Sequence, residues 1–188
     1  MSADNVAGGL LFLVVGPSGA GKDALISAAR DRLADDPGVL FPLREITRPA
    51  GSGGENHREV TISGFEKAVG EGRYALHWRA HGLCYGIPSE IVPALESGRN
   101  VVVNASRTVL DTARQRFPGT RILSITADPA VLEARLNARA RSSDGDLQQR
   151  LKRASLPVSM GPDVTVIDNS GDLAVALKAF LVAIGRAS

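Results

Sequence analysis

Cysteine is almost absent from this chain. Its 188 residues contain one, Cys84, so no internal disulfide can form and a disulfide-stapled scaffold is excluded. A single thiol suits a reducing compartment, and it is expected to be packed into the fold rather than to act as a nucleophile. Lysine is scarce as well: 4 of the 22 basic residues are Lys and 18 are Arg. A GC-rich genome accounts for most of that imbalance. Only the positions of the arginines carry meaning, through a planar fork that suits bidentate contact with phosphate. The formal net charge of +2 is too small to argue for a nucleic-acid partner, and none is expected. Long hydrophobic runs are missing too. The apolar run Leu10 to Val15 has about six residues and no basic stretch ahead of it, so it reads as a buried strand and not as a signal peptide or membrane span. With no internal repeat and no low-complexity tract, what remains is a cytoplasmic globular chain, 44% hydrophobic and 22% charged, with the length of one domain.

The most specific stretch follows that first strand. Residues 16–23 read Gly16-Pro17-Ser18-Gly19-Ala20-Gly21-Lys22-Asp23, and a helix-like run from Ala24 to Leu33 comes next. Strand, glycine-rich loop and helix together cradle a nucleoside triphosphate. Glycines let backbone N–H groups turn onto phosphate oxygens, the helix N-terminus adds positive potential, and the lysine reaches the outer phosphates. All eight residues are candidate nucleotide ligands, with Lys22 and Asp23 also candidate catalytic residues. The pattern Gly-x-x-x-x-Gly-Lys-[Ser/Thr] holds at seven positions and breaks at the eighth, where Asp23 stands in place of the hydroxyl that usually meets magnesium.

Beyond the first helix, Asp35-Asp36-Pro37-Gly38 predicts a turn and Val39 to Ile46 a strand. Arg48 to His57 is too rich in Gly, Pro and Ser for a regular element. Ser63 to Glu66 matches a capping box for a short helix. Tyr74 to Ala80 reads as a strand, turned by His81-Gly82 into Leu83 to Gly86. Pro88-Ser89 opens a helix that Gly98 closes. Val101-Val102-Val103, within Asn100 to Asn104, suits a central parallel strand. A helix from near Ser106, a strand over Arg121 to Thr126 and a helix capped by Asp128-Pro129 follow. A polar break over Ser142 to Asp146, a basic helix from about Leu147 to Ala154, a strand over Val164 to Ile167 and a helix over Asp172 to Ile184 complete the chain. Strands alternating with helices predict an α/β phosphate-loop fold with a mostly parallel central sheet flanked by helices. One domain, 1–188, is expected: a core of 1–43, 89–138 and 155–188, an acceptor-binding insert at about 44–88, and an arginine-rich lid at about 139–154.

A phosphate loop alone serves kinases, GTPases, ATPases and motors. The tetrapeptide Asn-Lys-x-Asp that reads guanine in GTPases is absent, and a short domain with an arginine-bearing insert and lid suits a small-molecule phosphotransferase. Arg135, Arg139, Arg141, Arg150 and Arg153 are the lid candidates. Arg139 and Arg150, flanking the polar break, are read as catalytic, against the alternative of a solvated helix face.

The order of motifs resembles the guanylate kinase family over nearly the whole chain: the phosphate loop, Ile46-Thr47-Arg48, Gly54-Glu55-Asn56-His57, Tyr85-Gly86 and Val101-Val102-Val103-Asn104. That resemblance implies that Arg48 and Tyr85 hold the acceptor's phosphate, with Arg44 a further candidate. Guanylate kinases read guanine with a glutamate upstream of the Tyr-Gly pair and a Ser or Thr just after it. Counted from Tyr85-Gly86, those places hold Leu76 and Ile87, which cannot pair with a polar base, so GMP is not the expected acceptor.

The chain more closely resembles the ribose 1,5-bisphosphate phosphokinase family of phosphonate degradation. The runs that carry the likeness are residues 16–23, Ile-Thr-Arg (46–48), Gly-Glu-Asn-His (54–57), His-Gly-Leu-Cys-Tyr-Gly (81–86) and Val-Val-Val-Asn-Ala-Ser-Arg (101–107). The aspartate after the loop lysine belongs to that family's pattern. The resemblance implies ATP-dependent phosphorylation of ribose 1,5-bisphosphate to 5-phosphoribosyl 1-diphosphate, with ATP and Mg2+ as cofactors and a phosphorylated sugar as the small-molecule partner. Rival expectations are a nucleoside monophosphate kinase and a non-catalytic guanylate-kinase-like binding domain, though the latter has little reason to keep Lys22 and the glycines. An acceptor with two phosphates and no base calls for donors, and Arg48, His57, Tyr85, Asn104 and Arg107 are the substrate-binding candidates. Asp23 is the candidate metal residue. Either it has taken over the metal-organising charge that the neutral Asn104 lacks at the strand end, or it is a plain first-turn helix residue. A homodimer is compatible with the sequence, which does not set the oligomeric state.

Overall fold

Leu11–Val15 forms the first strand, β1, and all five of its residues are buried, as an apolar run covered on both faces must be. The structure, a computed structural model, describes residues 8–51, 55–139 and 161–186. After β1 come α1 (Lys22–Arg32), β2 (Val39–Leu40), β3 (Glu45–Ile46), β4 (Arg58–Glu59), α2 (Ile62–Gly70), β5 (Tyr74–Ala80) and β6 (Leu83–Pro88). Then follow α3 (Ile91–Glu96), β7 (Asn100–Asn104), a 3-10 turn (Arg107–Val109), α4 (Leu110–Arg116), β8 (Arg121–Thr126), α5 (Pro129–Arg139), β9 (Val164–Asp168) and α6 (Leu173–Ala183).

The strands form a five-stranded sheet in the order β2-β7-β1-β8-β9 and a four-stranded sheet in the order β4-β3-β6-β5. In the first, β2 runs parallel to β7 and β8 runs parallel to β9, the α/β class that strand–helix alternation predicts. In the second, β5 and β6 make an antiparallel hairpin, β6 pairs antiparallel with β3, and β3 pairs parallel with β4.

Two compact units divide the chain, and the division falls inside β1. One takes the described residues of Met1–Phe12, Asp35–Val103 and Thr108–Thr120, and so holds the four-stranded sheet with β2, β7 as far as Val103, α2, α3 and α4. Its buried side chains include Ile46, Leu76, Trp78, Ile87 and Val101 to Val103. Cys84 packs in a cluster with Phe65, Ala68 and Tyr74, which accords with a structural thiol. The other unit takes Leu13–Ala34, Asn104–Arg107 and the described residues of Arg121–Ser188. Leu25, Ile125, Leu132, Leu136 and Phe180 are buried there. Each fully buried side chain of this kind contributes roughly 1.5–3 kcal/mol. Among the described residues no helix is long and apolar enough to cross a membrane.

Three local expectations need correction, and one short strand has no sequence signal. The predicted strand Val39 to Ile46 is two short strands, β2 and β3, in different sheets. Pro42 lies between them and has no N–H to give a ladder. The short strand β4, at the end of the Gly/Pro-rich stretch, carries no signal of its own in two exposed charged residues. The cap of α2 is Thr61, whose hydroxyl accepts from the Gly64 N–H at 3.1 Å, while Ser63 already lies inside the helix. Pro88 closes β6 and does not open a helix; α3 begins at Ile91. The cap at Asp128 is as expected, accepting from the Ala130 N–H at 2.8 Å, and Asp172, read as the first residue of the last helix, is its cap and accepts from the Ala174 N–H at 2.8 Å.

Gly86 shows how tightly the four-stranded sheet is built. A Cβ there would lie 2.4 Å from the ring of Tyr74, which is 4% exposed. Gly86→Ala is therefore expected to destabilise the fold by about 2 kcal/mol through overpacking. Urea unfolding checks this, and an unchanged midpoint would show that the Tyr74 ring gives way freely.

Candidate active site

The phosphate loop is built as its sequence requires. Gly21 ends it with φ 83 and ψ 20, the left-handed conformation that an ordinary residue resists, and caps α1 without a side chain. Gly16, at φ 149, leaves β1 where a Cβ would lie 2.2 Å from the carbonyl oxygen of Ile125. Lys22 folds back over the loop, and its Nζ donates to the carbonyls of Gly16 at 2.8 Å and Pro17 at 2.9 Å. The ammonium thus stands within the loop's own ring. Behind it, Leu132 and Leu136 of α5 close on Gly19, and Arg135 Nη1 donates to the Gly19 carbonyl at 3.5 Å.

Asn169, just past β9, is 3% exposed, and its Nδ2 donates to the Ala20 carbonyl at 2.7 Å. A Cβ on Gly21 would lie 2.3 Å from that nitrogen. The loop is thus fixed from the strand side by one amide.

Asp23 is the second residue of α1 and is half-buried. Asn104, the last residue of β7, donates from Nδ2 to Asp23 Oδ1 at 2.8 Å. Arg107 opens the 3-10 turn, and burial pulls its guanidinium below the usual value. This donor set fits a magnesium nucleotide. Glycine-rich backbone, a helix N-terminus and one ammonium meet phosphate oxygens, and a fixed carboxylate is the hard oxygen ligand magnesium takes.

In the other unit, β5 and β6 carry Trp78 and Tyr85 as cross-strand partners, with rings stacked at 5.3 Å and 4° between planes. The Arg44 guanidinium lies 5.4 Å from the Trp78 ring and 5.2 Å from that of Tyr85. Arg44 is buried and ion-paired to Glu55, so its charge is already answered. Burial raises the Tyr85 hydroxyl above its ordinary value, while the Arg44 and Arg48 guanidinium groups oppose that rise. The phenol therefore stays protonated as a donor across the physiological range.

Arg48 is half-buried, and its Nε is shielded from solvent with no hydrogen-bond partner among the described residues. A buried donor left in that way is costly, and an oxygen of an anionic ligand would satisfy it. His57 is 8% exposed, with Nε2 3.0 Å from the Arg48 carbonyl and Nδ1 3.1 Å from the Glu55 carbonyl. Its ring ties the two ends of the loop together. The ring thereby holds the main chain of Arg48, another of the acceptor candidates. Leu76 and Ile87 are directly opposed across β5 and β6, at 2% and 0% exposure.

Relatives share this chain over most of its length. It is 49% identical over 164 residues to a ribose 1,5-bisphosphate phosphokinase of Rhodopseudomonas palustris, covering 87% of this chain and 82% of that one. It is 45% identical over 168 residues to the enzyme so named in Thiobacillus denitrificans, covering 89% and 88% of the two chains. This chain belongs to the ribose 1,5-bisphosphate phosphokinase family. A third member, from Rhizobium etli, is 44% identical over 165 residues, covering 88% of this chain and 84% of its own. No protein-family model matches the chain. Among solved structures, a guanylate kinase from Anaplasma phagocytophilum superposes with a TM-score of 0.71 at 16% identity, over 95% of this chain and 85% of that one. A gluconokinase from Sinorhizobium meliloti gives 0.53 at 19% identity, over 96% and 93%. At those identities the likeness concerns the fold.

Within this phosphokinase fold the predicted residues fall into two sets. Gly16 to Asp23, Asn104 and Arg107 belong to one compact unit, and Arg48, His57 and Tyr85 belong to the other. Arg150, Arg141 and Arg153 lie outside the described residues, as does the side chain of Arg139 and the expected lid helix. Arg135, a lid candidate, lies with Nη1 3.5 Å from the Gly19 carbonyl. Arg73 and Arg79 are exposed and ion-paired with Glu71 and Glu66. Asn169 was missed. Its one sequence signal is a polar Asp-Asn-Ser run at the end of the last apolar strand, the position where such sheets meet ligands.

Proposed function

We propose that this chain catalyses ATP-dependent phosphorylation of the 1-phosphate of ribose 1,5-bisphosphate, yielding 5-phosphoribosyl 1-diphosphate and ADP, in the cytoplasm. Membership of the phosphokinase family, at 49% identity over 87% of the chain, carries this reading. An oxygen of the acceptor's 1-phosphate attacks the γ-phosphorus, the bond to the β-phosphate oxygen breaks, and ADP leaves with that electron pair. The acceptor is already ionised near pH 7, so no general base is needed, and positioning with charge stabilisation supplies the catalysis.

Lys22 would leave the Gly16 and Pro17 carbonyls for the outer phosphates of ATP, and the glycine loop would hold the remaining oxygens. Asp23 would place magnesium, directly or through water, and the bound ion would neutralise charge on the β- and γ-oxygens. Arg48 and Tyr85 would hold the acceptor, with His57 keeping the Arg48 segment in place. Arg139 and Arg150 would close over the transferring group. The domain plan of a core, an insert at about 44–88 and a lid at about 139–154 belongs to the same proposal. The apolar Leu76–Ile87 pair supports a base-free acceptor, because a guanine edge would lose its partners there.

Measuring ADP release with ribose 1,5-bisphosphate, GMP and UMP side by side tests this. Preference for ribose 1,5-bisphosphate by at least about a hundredfold in kcat/KM is expected, within the range that unpaired polar groups impose. Preference for GMP overturns the reading, and turnover with none of the three would instead favour a non-catalytic binding domain.

A further inference from the structure

We infer, resting on the metal-facing role proposed for Asp23, that Asn104 is a positioning residue that fixes the Asp23 carboxylate for magnesium. Many phosphate-loop enzymes offer the cation a loop hydroxyl and a strand-end aspartate. Here the loop offers a carboxylate and the strand end an amide, and the two are joined by the 2.8 Å hydrogen bond from Asn104 Nδ2 to Asp23 Oδ1. The pair of groups carries one negative charge in either arrangement. Its place has moved from the strand end to the first turn of α1.

The contact has a defined chemistry. A carboxylate only accepts hydrogen bonds, so the amide must face it with its nitrogen. The bond holds one carboxylate oxygen in direction and adds no charge. An aspartate at 104 would bring two carboxylates to hydrogen-bond distance, where they repel. Both partners stand on regular elements. The Ala105 N–H, next in the chain after Asn104, donates to the Val14 carbonyl at 2.9 Å, and the Leu25 N–H donates to Gly21 at 3.0 Å in the first turn that carries Asp23. Groups fixed on a strand and a helix keep a tighter geometry than groups on a free loop. Before a cation arrives, the helix N-terminus offsets the carboxylate's charge.

Mn2+ is a suitable probe, titrated by electron paramagnetic resonance into the full chain saturated with a β,γ-imido analogue of ATP. Affinity for the same analogue in EDTA is measured in parallel. Asn104→Ala is expected to lower Mn2+ affinity about 10- to 100-fold, as loss of a partner behind a metal ligand does, and to leave binding in EDTA within about twofold. Asn104→Asp should also lower it, and the exchange Asp23→Asn with Asn104→Asp should restore it to within about tenfold of the unaltered chain, because the pair is kept. Unchanged Mn2+ affinity in Asn104→Ala, with a loss in Asp23→Ala, overturns the role of Asn104 and leaves that of Asp23 standing. No loss in Asp23→Ala overturns the proposed role of Asp23 itself. Equal losses with and without metal in Asn104→Ala show a purely structural residue and overturn the inference. Should Asn104→Ala fail to fold, the exchange variant decides: Mn2+ affinity no better than in Asn104→Asp alone overturns it.

Discussion

Lys22→Ala is expected to lower kcat for ribose 1,5-bisphosphate phosphorylation about a thousandfold, a loss of roughly 4 kcal/mol of transition-state stabilisation. The lysine's Nζ lies on the Gly16 and Pro17 carbonyls, at the mouth of the loop where the outer phosphates of ATP would come. Charge on the transferring phosphoryl group and on the leaving β-phosphate grows along the reaction. A cation placed there therefore acts more strongly in the transition state than on bound ATP. The loss should accordingly appear in kcat more than in KM for ATP. Steady-state kinetics check the split, and Lys22→Met separates the ammonium from its aliphatic stem. Both variants should melt close to the unaltered chain, because Lys22, Gly16 and Pro17 are all only partly buried. A variant that keeps a tenth or more of the original kcat would remove Lys22 from the chemistry.

The second large effect concerns stability. Leu76→Glu is expected to destabilise the fold by about 4 kcal/mol, the scale of a buried charge without a partner. Leu76 is 2% exposed and faces Ile87, which is fully buried, across the β5–β6 hairpin. The Ile87 side chain that faces it offers no donor to a carboxylate. Urea unfolding measures the loss, and GMP should remain a poor acceptor in the variant. Wild-type stability would mean that the hairpin opens at this point and that the apolar pair does not seal it. One substitution is accordingly not expected to convert the acceptor preference, because Leu76 and Ile87 are paired by register and a polar residue at either one faces an apolar partner.

Several parts of the molecule were readable in order along the chain because their causes are local. The phosphate loop is eight consecutive residues, and a left-handed turn needs glycine wherever it occurs. Val101 to Val103 announced a buried central strand, and Asp128 and Asp172 announced helix starts, since each cap acts on a main-chain N–H two residues on. Parts with distant causes were not readable. The run Val39 to Ile46 is apolar enough for one strand, yet its halves pair with β7 and with β4 and β6, choices made elsewhere in the chain. Thr61 and Ser63 are both competent caps, and the entry of the chain into α2 selects Thr61. The ion pair of Arg44 with Glu55 joins residues eleven positions apart and carries no local signal. Asn169 contacts a loop 149 positions before it, and no local pattern reports that.

The sequence by itself determined the donor side: a nucleotide loop with Lys22 and the unusual Asp23, on a strand followed by a helix. It also placed apolar residues at 76 and 87, on which the proposal of a base-free acceptor rests. Tertiary structure alone decided which groups meet. It set Asn104 against Asp23 across 81 positions, put Asn169 under the loop, and turned Leu76 towards Ile87. The physical reason is common to all three. Propensity, capping and glycine geometry act over a few residues, whereas strand register and burial join groups whose separation along the chain has no energetic signature until the fold closes.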